Sequence, residues 1–235
     1  MISSFDYLKL WEAGAGLHPL DRGLLILDAA EPESSLEALA DWPLGRRNQA
    51  LARVQCTNFG RQLQGWAACR HCGERLEVQV DGGLLAEGEA ATNPVGPEPI
   101  VINGFSFRRL TTRDLAAVAR ETDVRQATVR LVQRCQLDPG ETPAWNDLEL
   151  EQIGQALAQA DPLAETQLAL RCPACEYEWE ETLDIAFFIW REIEACARRL
   201  AREVHLLASA YGWAEGDILS MSAARRALYL EMLEA

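Results

Sequence analysis

Two Cys-x-x-Cys motifs, separated by roughly 100 residues, constrain the fold of this chain more than any other feature of its sequence. The first motif spans Cys69 to Cys72 and the second spans Cys172 to Cys175. A turn of this kind brings two sulfur atoms within reach of one ion, and two such turns complete a tetrahedral four-thiolate site with no open position for water. Because a closed site of this type is structural rather than catalytic, the motifs predict one structural zinc ion that joins two distant stretches of the chain.

The residues around both motifs show the alternation of half-buried β-strands. The apolar members of this pattern are Leu76, Val78 and Val80 after the first motif, Leu168 and Leu170 before the second, and Tyr177 and Trp179 after the second. The chain therefore shows the order strand, turn and strand twice. This is the arrangement of a zinc ribbon that has been split into two halves.

Other interpretations of the cysteines stay open at this point. A thioredoxin-like redox site places its Cys-x-x-Cys motif at a strand-to-helix junction, whereas glutamate-rich strand patterns follow both motifs here. His71 is an alternative ligand in place of Cys72, and the four cysteines could also share no site. The remaining cysteines, Cys56, Cys135 and Cys196, fall among apolar residues of predicted helices, so we expect them to pack as small hydrophobic side chains.

The first part of the chain, up to Gly60, predicts short helices. Their predicted limits are Gly14 at the end of the first helix, Pro19 and Ser35 at the starts of the next two, and residues 46–59 for the fourth. Residues 82–99 are rich in glycine, alanine and proline and predict a long surface loop. Residues 100–107 predict a short strand.

The second half of the chain contains stronger helix signals. Thr111, Asp123 and Asn146 are each followed three residues later by a side chain suited to helix capping, so three helices are predicted to begin there. Apolar residues between positions 185 and 211 recur at steps of three and four, which predicts a helix of roughly seven turns that ends at Gly212. A final helix is predicted near the C-terminus.

These patterns together predict an α+β fold, predominantly α-helical, with a small split zinc ribbon made of two Cys-x-x-Cys turns flanked by short β-strands. The predicted organisation is an N-terminal helical region (1–60), the first turn with its strands and a Pro- and Gly-rich loop (61–110), a helical insertion (111–162), the second turn (163–183), and the long and final helices (184–235).

The chain is strongly acidic, with 36 acidic against 22 basic side chains and a net charge of −14. This charge repels nucleic-acid phosphates and anionic lipids, so a nucleic-acid binder or membrane-surface protein is disfavoured. A basic protein surface or a metal ion is a better partner. The first ten residues lack the features of a signal peptide and no apolar run is long enough to span a bilayer, so we expect a cytoplasmic protein.

No phosphate-binding loop, dinucleotide fingerprint, zinc-protease helix or nucleophile elbow is present in the sequence. His18 and His205 are isolated from nucleophiles and carboxylates, so structural roles are expected for both. The acidic residues between positions 176 and 184 are predicted to form the solvated face of a strand. We therefore expect a protein that is not an enzyme and that has no small-molecule substrate.

Several segments of the chain, together with the two cysteine motifs, resemble a family encoded beside contractile phage tails and phage-tail-like injection systems. The segments are residues 10–14 (LWEAG), 17–22 (LHPLDR), 44–48 (LGRRN), 107–115 (FRRLTTRDL), 211–219 (YGWAEGDIL) and 225–229 (RRALY). The C-terminal segments also resemble the baseplate hub and hub-assembly proteins of T-even phages. Because the cysteine pairs are not a feature of the T-even proteins, this chain would be a cysteine-bearing bacterial version.

The resemblance implies a non-enzymatic protein that binds other baseplate or tail proteins. Its role would be that of a hub-assembly chaperone or of a component built into the phage-like particle. Two further classes are compatible with the cysteine motifs. One is a zinc-ribbon regulatory or nucleic-acid-associated adaptor, and the other is a thiol-redox protein.

Overall fold

The computed structural model describes residues 2–88, 99–138 and 144–234 of the chain. The helices in these ranges are α1 (Ser4–Gly14), α2 (Pro19–Ala30), α3 (Leu36–Ala40), α4 (Leu44–Asn58), α5 (Gly82–Ala86), α6 (Thr112–Val118), α7 (Val124–Cys135), α8 (Asp147–Ala160), α9 (Ile185–Tyr211), α10 (Glu215–Ser220) and α11 (Ala223–Glu234). The strands are β1 (Gln62–Ala68), β2 (Arg75–Asp81), β3 (Ile100–Ile102), β4 (Phe105–Phe107), β5 (Gln167–Arg171) and β6 (Glu178–Thr182).

The described part of the protein is mostly helical and carries small antiparallel sheets, which confirms the predicted α+β class. Each sheet is a two-stranded hairpin, formed by β1 with β2, β3 with β4, and β5 with β6. Several predicted helix limits are also confirmed. Capping boxes form at Thr111 and Asn146, Pro19 stands in the first turn of α2, and Gly212 ends α9 in the left-handed conformation.

The prediction of a loop from residue 82 onward is wrong for its first residues, which form helix α5. The side chain of Asp81 accepts a hydrogen bond from the backbone N–H of Gly83 at 2.8 Å and so caps this helix. Leu85 and Ala86 then pack against the core. Local capping and burial therefore outweigh the high glycine and alanine content of the segment. The rest of the predicted loop, residues 89–98 with Pro94 and Pro97, lies outside the described residues.

Residues 100–107 form a hairpin rather than the predicted single strand. Its turn is made by Asn103 and Gly104, which both have positive φ, of 52° and 84°. An Asn-Gly pair is the preferred sequence for the two-residue turn whose twist matches that of the paired strands. The turn residues therefore account for the reversal of the chain within so short a segment.

Most of the buried apolar residues in the described ranges fall into three clusters. The first cluster joins α1, α2 and α4 to the first turns of α9, with Ile26, Leu27, Leu51, Ile189 and Ile193 among its members. The second lies among β4, α7 and α8 and is formed by Phe107, Val132, Cys135, Trp145, Leu150, Ile153 and Leu157. The third is small and surrounds the cysteine motifs. The two cysteine-bearing hairpins lie between the first and third clusters.

Both cysteine-bearing hairpins are anchored in the first cluster at the ends that lie away from the cysteines. Leu63 and Val80 are paired near the base of the first hairpin, and Leu168 and Leu183 lie at the base of the second. Gly65 lies so close to α9 that a Cβ atom there would come within 2.8 Å of the Phe188 ring. This close approach holds the first hairpin against the start of α9.

A buried carboxylate holds the start of α6 to the end of α7. Asp114 is fully buried and receives hydrogen bonds from Arg108 at 2.6 and 2.9 Å and from Arg134 at 2.9 Å. The N–H and hydroxyl groups of Thr111 also donate to it, at 3.0 and 2.9 Å. Burial opposes its ionisation, but the hydrogen bonds from Arg108 and Thr111 outweigh that effect and lower the pKa of Asp114 to about 2.

We predict that Asp114→Asn lowers the free energy of unfolding by about 2–3 kcal/mol, because both arginines lose their charged partner in a partly buried site. The folded-state pKa lies below the ordinary value, so this contribution is present at neutral pH and is lost as the pH falls from about 4 toward 2. Urea unfolding across this pH range measures both effects. Asp147→Asn, which removes an exposed pair with Arg125, is the matched control and should cost less than about 1 kcal/mol. Equal losses for the two variants would contradict this account of Asp114.

The end of α8 is attached to the start of α4 by a close contact between backbone and side chain. The N–H of Gly45 donates to Oδ2 of buried Asp161 at 2.9 Å. No capping side chain precedes α4, because its N-cap residue is Pro43. The carboxylate of Asp161 therefore takes the place of a local cap, near the positive end of the helix dipole. A Cβ atom on Gly45 would lie only 1.9 Å from Oδ1 of Asp161.

We predict that Gly45→Ala destabilises the protein by about 1–3 kcal/mol, because the new methyl group must displace the carboxylate that caps α4. The control is Gly154→Ala in α8, where an added Cβ atom meets nothing within 4 Å. That substitution should stabilise the protein by about 0.5–1 kcal/mol, since alanine is the better helix former. Thermal unfolding of both variants tests the contact, and a Gly45→Ala protein as stable as the wild type would show that the close approach is unimportant.

Candidate metal centre

The first Cys-x-x-Cys turn closes the hairpin between β1 and β2. The N–H of Cys69 donates to the carbonyl of Glu74 at 2.8 Å, and the N–H of Gly73 donates back to the carbonyl of Cys69 at 2.9 Å. Gly73 has a φ of 78°, which a residue without a side chain adopts at little cost. The N–H of His71 points at the sulfur of Cys69, at 3.4 Å. The turn therefore presents sulfur atoms and backbone donors to the same side.

The second turn repeats this geometry between β5 and β6. The N–H of Cys172 donates to the carbonyl of Tyr177 at 2.9 Å, and the N–H of Glu176 donates to the carbonyl of Cys172 at 3.0 Å. Glu176 has a φ of 60° and occupies the position that Gly73 holds in the first turn. A glutamate is uncommon in this left-handed conformation, so the second turn is held by its surroundings rather than by local preference.

The four cysteines of the two motifs come together at one centre. Their sulfur atoms all lie within 4.8 Å of one another, which is compatible with the single shared metal site that the two motifs predict. Two pairs that cross between the turns, Cys69 with Cys175 and Cys72 with Cys172, have sulfur–sulfur distances of 3.6 Å. The first cysteine of each motif is buried, whereas Cys72 is exposed and Cys175 is partly exposed. The centre therefore lies between a small core and the protein surface.

Aromatic side chains join the two turns beside the sulfur atoms. The ring of His71 stacks on Tyr177 with 5.8 Å between centroids, and Tyr177 stacks on Trp179 at 6.1 Å. Trp179 is buried with Cys69 and Cys172 in the third cluster. His71 does not belong to the group of four ligand atoms, and its ring instead covers one side of the contact.

An ion pair adds a polar link between the same turns. Arg70 donates to Oε2 of Glu181 at 3.1 Å, and Nε1 of Trp179 donates to the same oxygen at 3.3 Å. Sequence reasoning did not identify these residues as part of the site. Their only signal is the alternation of β6, which places Tyr177, Trp179 and Glu181 on one face of the strand.

The thiols at this centre lose their protons over a wide range of pH. Burial opposes ionisation of Cys69, but backbone N–H groups of Cys72 and His71 and the neighbouring thiols lower the pKa of Cys69 to about 6. A backbone hydrogen bond from Tyr177 favours the Cys175 thiolate, but burial and the other thiols raise the pKa of Cys175 to about 12. Four thiolates therefore do not form together at neutral pH without a cation that offsets their repulsion.

Neither motif stands at the start of a helix. Each turn leads back into its own hairpin, through β2 in the first case and β6 in the second. A helix N-terminus is the feature that activates the first thiol of thioredoxin-like sites. This local geometry favours a metal centre over that kind of redox centre.

The other cysteines and the two isolated histidines lie away from this centre. Cys135 is fully buried in the second cluster, where burial raises its pKa to about 11. Cys56 packs against the first cluster, and Cys196 is half-buried on α9. His18 caps α2 by accepting a hydrogen bond from the N–H of Leu20, and His205 is exposed on α9.

Comparisons of the chain with protein-family models, with curated proteins and with solved structures gave no match. Among the described helices, none combines the length and the apolar character that crossing a bilayer requires.

We predict that Cys172→Ser abolishes metal binding and lowers the free energy of unfolding by about 3 kcal/mol or more, because metal-binding free energy contributes directly to folding. Elemental analysis and thermal unfolding measure the two effects. Cys196→Ser, which changes a cysteine outside the centre, should leave both unchanged. Loss of metal from Cys172→Ser with no loss of thermal stability would show that the centre does not hold the fold together.

Proposed function

We propose that the four cysteines bind one structural zinc ion and so form a split zinc ribbon. The convergence of the four sulfur atoms from two hairpins far apart in sequence is the observation that carries this proposal. Zinc–sulfur bonds of about 2.3 Å in a tetrahedron place the sulfur atoms about 3.8 Å apart. The cross-turn distances of 3.6 Å agree with this spacing. A donor set of thiolates alone suits zinc and excludes the hard cations calcium and magnesium.

The zinc ion would act as a cross-link in a long loop of the chain. Closing a loop of roughly 100 residues in the unfolded chain is entropically unfavourable, and a permanent cross-link of this span contributes about 4–5 kcal/mol to stability in the chain-entropy model. Four protein ligands fill a tetrahedral zinc site and leave no position for water or substrate. The ion therefore stabilises the fold without catalysing a reaction.

We infer that the protein is not an enzyme and that it works by binding other proteins during assembly of a contractile phage tail or a phage-tail-like injection system. The sequence resemblance to baseplate hub and hub-assembly proteins supports this role. The closed four-thiolate site and the net charge of −14 are compatible with it, because an acidic surface suits a basic protein partner. The role takes place in the cytoplasm, with neither a membrane nor a small-molecule substrate involved.

A thiol-redox function is the second candidate, and two observations favour it. Cys72 is exposed, although burial of its sulfur and the neighbouring thiols outweigh a backbone hydrogen bond from Glu74 and raise its pKa. The pKa of the buried Cys69 is lowered to about 6, so a thiolate forms near neutral pH beside an accessible thiol. Metal analysis separates the two candidates. One tightly bound zinc ion per chain, with all four thiols protected from alkylation until a chelator is added, would rule out the redox function.

We predict that the full chain, tagged and expressed at its native level, co-purifies with baseplate or sheath proteins. Mass spectrometry of the purified complex identifies the partners, and Cys172→Ser should lose them because the two hairpins separate when the metal is lost. Cys196→Ser serves as the control and should retain them. Co-purification with nucleic acid, or with no other protein, would contradict the assembly role while leaving the zinc site intact.

A further inference from the structure

Helix α11 (Ala223–Glu234) turns an apolar face toward solvent. Leu228 and Met232 are 52% and 56% exposed, and Ala224 is exposed beside them. Residues four apart lie one above the other on a helix, so these three side chains form a single stripe along its outer surface. Leucine and methionine stripes on globular helices normally face a core. This one has no cover within the described part of the chain.

A buried arginine fixes the direction in which the stripe points. Arg226 is only 2% exposed, and its Nε donates to Glu203 on α9 at 2.7 Å. Its other nitrogens donate to the carbonyl of Met221 at 2.6 Å and to the hydroxyl of Ser4 at 3.4 Å. At about 100° per residue, Arg226 lies on the opposite side of the helix from Leu228. Rotation of the helix to bury the stripe would therefore break the hydrogen bonds of Arg226.

Two opposite charges flank the stripe. Arg225 and Glu231 lie about 60° to either side of Leu228, one at each edge of the apolar surface. Both residues are exposed. The guanidinium of Arg225 lies over the Tyr229 ring, 5.7 Å from its centroid, which holds this positive charge beside the stripe. One edge of the surface is thus positive near its start and the other is negative near its end.

We propose that this surface binds a second copy of the protein through parallel pairing of the two α11 helices about a two-fold axis. In that arrangement Ala224, Leu228 and Met232 each meet their own counterparts. The two-fold axis brings the positive edge of one helix to the negative edge of the other. Arg225 then lies about 9 Å along the helix axis from the level of the partner's Glu231, so the two charges attract across the interface, as does the reverse pair.

The charges distinguish this arrangement from its antiparallel alternative. An antiparallel two-fold pair places the positive edges of the two helices together and likewise the negative edges, which is repulsive. Only the parallel pair makes the surface complementary to itself. A single short helix provides a small interface, so the dimer should be weak.

Sedimentation equilibrium of the full chain over a wide concentration range tests the proposal. We expect the wild-type protein to dimerise with rising concentration and Leu228→Glu to remain monomeric. The matched control is Leu148→Glu, which changes a leucine on α8 that is 63% exposed, and it should dimerise like the wild type. A wild-type protein that is monomeric throughout, or a dimer that Leu228→Glu does not weaken, would overturn the proposal.

Charge reversal tests the parallel orientation. Arg225→Glu and Glu231→Arg should each weaken the dimer about threefold, because each change replaces two attractions between exposed charges by two repulsions. The double variant should restore wild-type affinity. If the single reversals leave the affinity unchanged, or if the double variant fails to recover it, the parallel pair is wrong. Circular dichroism of each variant checks that α11 stays folded.

Discussion

The contact between the two cysteine-bearing turns closes a loop of roughly 100 residues, and the relative placement of the two hairpins depends on it. Each hairpin is fixed at its base in the first cluster, through Leu63 on one side and Leu168 on the other. These anchors leave the two turns free to separate at their tips. The sulfur atoms, with the stacked His71 and Tyr177 rings beside them, bring the tips together. A bound ion would therefore align hairpins that already exist rather than create them.

The helical block between the hairpins, residues 110–164, begins and ends beside the start of α4, which explains how so long an insertion fits. The block begins at Leu110, whose carbonyl accepts a hydrogen bond from the N–H of Leu44, at the start of α4, at 3.0 Å. It returns to the same point through the contact between Gly45 and Asp161. Asn48 then donates to the carbonyls of Leu163 and Ala164, at 2.9 and 3.0 Å. Because entry and exit are adjacent, the helices between them form their own core without displacing the hairpins.

Local signals in the sequence were sufficient for most helix limits and for the four cysteines that cluster at the candidate metal centre. In a capping box such as that of Thr111 and Asp114, the two partners lie three residues apart, so the start of the helix can be predicted from the local sequence. The turn at Asn103 and Gly104 was missed, because the strand pattern around it was too short to show two strands. In contrast, Asp161 caps a helix 116 residues away, and Arg70 pairs with a glutamate 111 residues away. Such contacts depend on the folded topology, which no local pattern specifies.

The proposed zinc ion would also shape the charge of the surface around it. Four thiolates on one zinc ion carry a net charge of about −2, which adds to the acidity of the chain. Arg70, in the first turn, and Arg171, beside the second, are already paired with Glu181 and with Glu176, respectively. Backbone N–H groups such as that of His71 stabilise the sulfur atoms without cancelling their charge. The hairpin tips would thus present a rigid, negative and partly aromatic surface, which suits a basic protein partner better than a phosphate backbone.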